Sequence, residues 1–302
     1  MKNVFLSLGT ARSIDQCVQK VLADLGNPEP PLKLDIVRDM LELDKEYYSS
    51  TDQGILQDTV HKLRMAGKQV LKRPTLILDA IKKFDLNALW LPDRKRILLD
   101  SNMPVLKQRW GEIHEISHSI IPWHEPLVHG DQRMTLTHTC KEQVEAEANY
   151  AAGRLLFFQE RFVEEVRSSE VCLNNVQKWG KAYGNTITST LWRTVESLIV
   201  PAFGLVSIHP QGVPDPDSHP VRRFIRSESF ADRFSAVTAM QVFEVLGTFC
   251  YGVRGPIGSD HILITDINNV KYVFAVESFY NSYDALTIGI LQKVHAASAA
   301  VE

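Results

Sequence analysis

The sequence predicts an α+β fold: a mostly helical part with a small sheet over residues 1–199, followed by a smaller α+β unit over 200–302. Three observations predict it. Apolar residues recur at helical spacing through much of the first part, as in Ile14, Val18, Val21, Leu22 and Leu25. Pairs of short apolar runs flank two turn-type tetrapeptides, Pro92-Asp93-Arg94-Lys95 and Asp266-Ile267-Asn268-Asn269, which is the pattern of a β-hairpin. Near Val200-Pro201 the texture then changes from helical periodicity to strand-like runs separated by Pro/Asp-rich stretches. A chain of 302 residues accommodates one large domain or two.

Each element follows from local chemistry. Residues 12–25 read as a helix that Gly26 stops, and Asn27 to Pro31 as a rigid link. Amphipathic helices follow over 33–43 and 53–71. Ala88–Leu91 and Arg96–Leu99 form the first hairpin. Asn102 as N-cap and Pro104 in the first turn open a helix that runs to Ile121, where Pro122 helps to stop it. Residues 122–138 form a loop rich in His, Pro and Gly. The next helix runs from Lys141 through Phe158, with Val144, Ala148, Ala151 and Leu155 on one stripe, and a helix or helix pair covers 173–198. In the tail, a strand is expected over 203–208, a loop over 211–220, one amphipathic helix over 229–246, a second hairpin over 260–276 and a last strand over 286–294.

Composition excludes several function classes. With 44% hydrophobic and 23% charged residues the chain is of ordinary globular make-up, neither disordered nor fibrous. The 33 basic and 36 acidic side chains leave a net charge of −3, so no nucleic-acid partner is expected from overall charge. The first helices show no clustered Arg/Lys face for a DNA reader. No run approaches the ~20 apolar residues of a membrane span, and the N-terminus lacks the pattern of a secretory signal. Cys17, Cys140, Cys172 and Cys250 are widely spaced with no Cys-x-x-Cys pair, which argues for reduced thiols and a cytoplasmic protein.

The chemistry concentrates in one place. Five of the ten histidines, His114, His118, His124, His129 and His138, fall between residues 114 and 138. The first two belong to His114-Glu115-Ile116-Ser117-His118 on a predicted helix. Four-residue spacing puts both imidazoles on one helix face, able to bind one zinc ion, with Glu115 beside them as general base. A catalytic zinc site takes a third protein ligand and keeps one open position. Two residues compete for that place. His124 lies six residues beyond His118, but the spacing that would use it calls for Gly at the position of Ile121, and a β-branched residue does not readily supply the positive φ of that turn. Glu145 lies on the next helix, with Asn149 one turn later able to orient a ligand His ring. Glu147 is rotated about 200° from Glu145, so both carboxylates cannot face one metal. Without the His pair this acidic stretch would read as a solvated helix face. His124, His129 and His138 read as plain surface histidines, or as a transition-state donor or substrate contacts.

At these residues the chain resembles the ImmA/IrrE-type metallopeptidases, a zincin-like group of regulators. The resemblance rests on the strand Arg96–Leu99, the stretch 108–113, the His114-to-His118 motif and Glu145-Ala146-Glu147-Ala148-Asn149-Tyr150-Ala151-Ala152-Gly153-Arg154-Leu155-Leu156. It covers residues 10–198. The departures are Ser117 where the family favours Gly, Pro122-Trp123-His124 in place of an apolar run ending in His, and Phe157-Phe158 where Met-Pro is common. The resemblance implies that the first 199 residues form a zincin-like metallopeptidase domain and that Glu145 is the third metal ligand after His114 and His118. It also implies Zn²⁺ as cofactor, with a specific protein, typically a DNA-binding repressor, as substrate. By the same resemblance the C-terminal unit serves as a sensor or partner-binding part. The rival expectation is a metal-binding regulatory protein that keeps the scaffold without proteolysis.

Overall fold

The computed structural model describes residues 6–48, 88–91, 95–124, 138–213 and 219–294. The helix expected over 53–71, the hairpin turn at 92–94 and the loop 125–137 with His129 lie outside these residues, as do 214–218 and the last residues of the chain. The chain divides by packing into two units, Leu6–Gln159 and Glu160–Glu302. The texture change near Val200 falls inside the second of them.

In the first unit, helix α1 (Leu8–Asp24) opens on Ser7, whose hydroxyl accepts from the Thr10 N–H at 3.1 Å. The helix starts four residues before the expected position because this cap lies upstream of the apolar stripe. The stripe itself, Ile14, Val18, Val21 and Leu22, is buried, and Gly26 takes a φ of +74° beyond the helix end. Helix α2 (Leu34–Met40) is shorter than expected because the chain turns at Glu42, with φ 55°, into strand β1 (Asp44–Tyr48). Strands β2 (Ala88–Leu91) and β3 (Arg96–Asp100) pair antiparallel as the hairpin pattern predicts. β1 pairs with β3 in parallel, giving a three-stranded sheet of order β1-β3-β2.

Two helices carry the chemistry. α3 (Val105–Ile120) packs on β2 and β3 and buries Glu112, Ile113, Glu115, Ile116, Ser117 and His118. Its N-cap is Pro104 and not Asn102: the Asn102 N–H is taken by Asp100 Oδ1 at 2.9 Å, so that residue serves a turn after β3. The carboxylate of Glu112, 7% exposed, receives Arg38 from α2 at 2.5 Å and Lys45 from β1 at 3.1 Å, which ties α3 to both elements. α4 (His138–Leu156) packs against α3 and α1. Asp15 on α1 accepts hydrogen bonds from Tyr150 and Arg154 of α4, the latter at 2.6 Å. Positive φ values at Phe158 and Gln159 end the helix run.

The second unit begins with α5 (Glu160–Arg167), α6 (Leu173–Ala182) and α7 (Ile187–Ser197). These precede β4 (Ala202–Ser207), β5 (Val221–Arg226), α8 (Glu228–Arg233), α9 (Ala239–Leu246), β6 (Gly255–Thr265), β7 (Lys271–Tyr280) and β8 (Ala285–Val294). All strand pairs of this five-stranded sheet, of order β5-β4-β8-β7-β6, are antiparallel. Its core is aromatic: Phe203, Phe230, Phe234 and Phe274 are fully buried and contact one another. The single helix expected over 229–246 is instead two. Phe234 leaves helical geometry, and Thr238 starts a new helix through a capping box with Gln241. Among the described residues, no helix is long and apolar enough to cross a membrane.

Candidate metal centre

Helix α3 presents His114 and His118 one turn apart, so their rings meet edge to face with centroids 4.9 Å apart. Their Nε2 atoms are separated by 3.2 Å. From α4, Glu145 brings Oε2 to 3.2 Å from His114 Nε2 and Oε1 to 3.9 Å from His118 Nε2. One ligand atom from each of the three residues thus lies within 4.8 Å of the others. Tetrahedral zinc with bonds of about 2.0–2.1 Å has ligand-to-ligand edges of about 3.3 Å, so the cluster has the right size. The donor set has the right chemistry too. The far nitrogen of His114, Nδ1, lies 3.1 Å from the Asn149 side-chain oxygen, so a neutral ring with its proton on Nδ1 turns the Nε2 lone pair toward the Glu145 carboxylate. Such a convergence of lone pairs is repulsive without a cation between them. Two His and one carboxylate suit zinc.

Exposure is graded across the site. The side chains of His118 and His114 are 8% and 14% exposed, whereas that of Glu145 is 46% exposed. One side of the cluster therefore faces water, as an open coordination position requires. Glu115, directly after His114 and on the same helix, is 7% exposed.

Burial, reinforced by the neighbouring His114 ring, pushes the His118 imidazolium down to about 3, so this ring is neutral at physiological pH. Burial also works against charge on His114, but the hydrogen bond to Glu145 and the charges of Glu115 and Glu145 more than offset it, and its pKa is raised. Glu145 favours the charged form of both rings; burial and the neighbouring histidines prevail on His118, whereas His114 also bonds to Glu145 directly.

His124 departs from its expected place. It is neither a surface histidine nor part of the ligand cluster. The Ile121 φ of −91° keeps the chain out of the left-handed turn, and residues 121–124 fold back so that the His124 N–H reaches the Ile121 carbonyl at 3.0 Å. The ring is fully buried, with Nδ1 at 3.0 Å from His118 Nδ1 and Nε2 at 3.0 Å from Glu147 Oε2. Glu147 does point away from Glu145, as helical geometry demands, but it is 3% exposed and not solvated. It accepts hydrogen bonds from Trp123 Nε1 at 2.6 Å and Gln143 Nε2 at 2.9 Å. These bonds, together with that from His124, hold its carboxyl below the usual range against the opposing effect of burial. The Trp123-His124 pair directly after the metal helix, and Gln143 four residues before Glu147, are the sequence signals that would have located this cluster.

The structure thus brings His114, His118 and Glu145 together and puts Asn149 where helical spacing had placed it. Ser117, at the position where the resembled family favours Gly, turns its hydroxyl back to the Ile113 carbonyl at 2.7 Å and stays inside the helix. His138 is the first residue of α4.

No family model and no curated protein matches the sequence. Among solved structures, the chain is similar to one described as a Mycobacterium tuberculosis transcriptional regulator. The two share 10% sequence identity over 95% of this chain and 89% of that one, with a TM-score of 0.50. At that identity the likeness is one of fold.

Proposed function

We propose that the chain is a zinc-dependent endopeptidase that cleaves a specific protein, with His114, His118 and Glu145 as metal ligands and Glu115 as the catalytic general base. The observation that carries this reading is the convergence of two imidazole nitrogens from the helix that also bears Glu115 with one carboxylate from α4, half open to water. Bound there, zinc would polarise the scissile carbonyl and make a water molecule acidic enough to attack it. The rest falls to the protein. Glu115 takes the proton of the attacking water and returns it to the leaving amine. Its burial removes competing solvent from that transfer, and the Asn149 bond keeps the His114 ring turned toward the cluster.

The ImmA/IrrE-like motif supports a narrow protein substrate, with a DNA-binding repressor as the first choice, and hence a regulatory role in the cytoplasm. The neighbouring fold described as a transcriptional regulator agrees with such a role. Residues 200–302 are then the part that senses a signal or engages a partner.

The test is cleavage. The zinc-loaded chain, mixed with extracts containing its repressors, should cut one or a few proteins. Chelation and Glu115→Gln should each abolish the cut, by at least about 1,000-fold for the variant, which loses the base but not the ligands. A Gln variant that cleaves at the wild-type rate refutes the role of Glu115. Zinc retained with no cleavage by the wild type would instead indicate a metal-binding regulatory protein.

A further inference from the structure

Behind His118, on the side away from the ligand cluster, the first unit buries a second set of polar side chains that metal ligation itself does not use. His124 is fully buried and Glu147 is 3% exposed. Three nitrogen donors converge on this one carboxylate: Trp123 Nε1 and His124 Nε2 on Oε2, and Gln143 Nε2 on Oε1. A carboxylate so surrounded only accepts, so the proton between Glu147 and His124 resides on His124 Nε2. Neutral His124 then has a bare Nδ1. That atom lies 3.0 Å from His118 Nδ1, so the proton in this second contact must belong to His118. With Nδ1 protonated, neutral His118 leaves Nε2 bare, and Nε2 is the atom that faces His114 and Glu145. Only this assignment of protons satisfies both contacts between neutral rings.

We infer that Glu147 and His124 form a two-step relay that fixes the tautomer and the ring orientation of His118, making them positioning residues for the metal site. This inference rests on the reading of His114, His118 and Glu145 as metal ligands. The two ligand histidines are thereby held by different means. His114 leans on the neutral Asn149 amide, whereas His118 is locked by an ionised group through an intervening ring. His124 itself is excluded as a ligand because both of its nitrogens are engaged.

Zinc affinity of the full chain, measured by competition with a chromogenic chelator, tests the inference. His124→Leu removes the acceptor for His118 Nδ1–H and should weaken zinc binding by about 10- to 100-fold. His124→Gln offers a carbonyl oxygen to His118 and an amide N–H to Glu147 at similar spacing, and should restore most of the loss. Glu147→Gln, nearly isosteric, frees the relay to invert and should give an intermediate loss even if the Leu variant folds poorly. A second readout is nitrogen NMR of the metal-free chain, in which wild-type His118 should be wholly the Nδ1–H tautomer and the His124→Leu variant a mixture. Wild-type affinity in both His124→Leu and Glu147→Gln, or a wild-type His118 protonated at Nε2, overturns the relay while leaving the metal site standing. A wild type that binds no zinc overturns the metal reading itself.

Discussion

Asn149 stands one turn beyond Glu145 on α4, and its oxygen lies 3.1 Å from His114 Nδ1. Its substitution by Ala keeps all three ligands but frees the His114 ring, so zinc affinity should drop by about 10- to 100-fold in a chelator competition with the fold intact. His118 makes a different prediction. In the metal-free folded chain it resists protonation until about pH 3, whereas in the unfolded chain it protonates near its ordinary 6.5. Between those values the unfolded state binds the extra proton, so stability falls as pH drops below 6.5. The contribution reaches up to about 2 kcal/mol by pH 5. The raised pKa of His114 opposes this, since a group that holds its proton more tightly when folded adds stability on the acid side. A His118→Gln chain loses the first effect and keeps His114. Urea midpoints of the metal-free chain at pH 7 and pH 5 should therefore separate more for wild type than for His118→Gln. The meeting of His114 and His118 was legible because four-residue spacing encodes a shared face of α3, and Glu145 and Asn149 share a face of α4 for the same reason. His124 was not, because its burial depends on a carboxylate 23 residues away that no local pattern announces.

Elements with a periodic signal and local punctuation emerged close to where they were expected: the hairpin β2–β3, the helices α3 and α4, and the strands β6 to β8. β1 carries Asp44, Lys45 and Glu46, so it lacks a strand-like alternation and becomes a strand only by pairing in parallel with β3, more than fifty residues on. β5 is similar, with Arg222, Arg223 and Arg226 along it. The break between α8 and α9 was written in the sequence as Thr238-x-x-Gln241, a capping box that the longer apolar periodicity masked. One glycine shows how tightly the second sheet is built. Gly289 on β8 faces Phe203 on β4, and a Cβ there would overlap the phenyl ring. Because Phe203 is fully buried among Phe230 and Phe274, the ring has no room to retreat. Gly289→Ala should destabilise this sheet by about 2–3 kcal/mol, read as a lower urea midpoint of its unfolding transition.

At the scale of the whole molecule, the candidate metal centre lies entirely within Leu6–Gln159, and helices α5 to α7 group with the C-terminal sheet in Glu160–Glu302. The sequence signal near Val200 marks the change from helices to strands. It does not mark packing: α7 lies against β4 and β5, and α6 against β7, through contacts that local periodicity cannot register. The central claim, that His114, His118 and Glu145 together hold one zinc ion, is tested most directly by the metal content of the purified full chain. Mass spectrometry under native conditions should find one zinc per wild-type chain and one per Glu115→Gln chain. Glu145→Ala should lose most of the metal and His114→Ala/His118→Ala all of it, with the far-ultraviolet circular dichroism of each variant unchanged. A zinc-exposed wild type that carries no metal, or a double histidine variant that carries as much as wild type, would contradict the account.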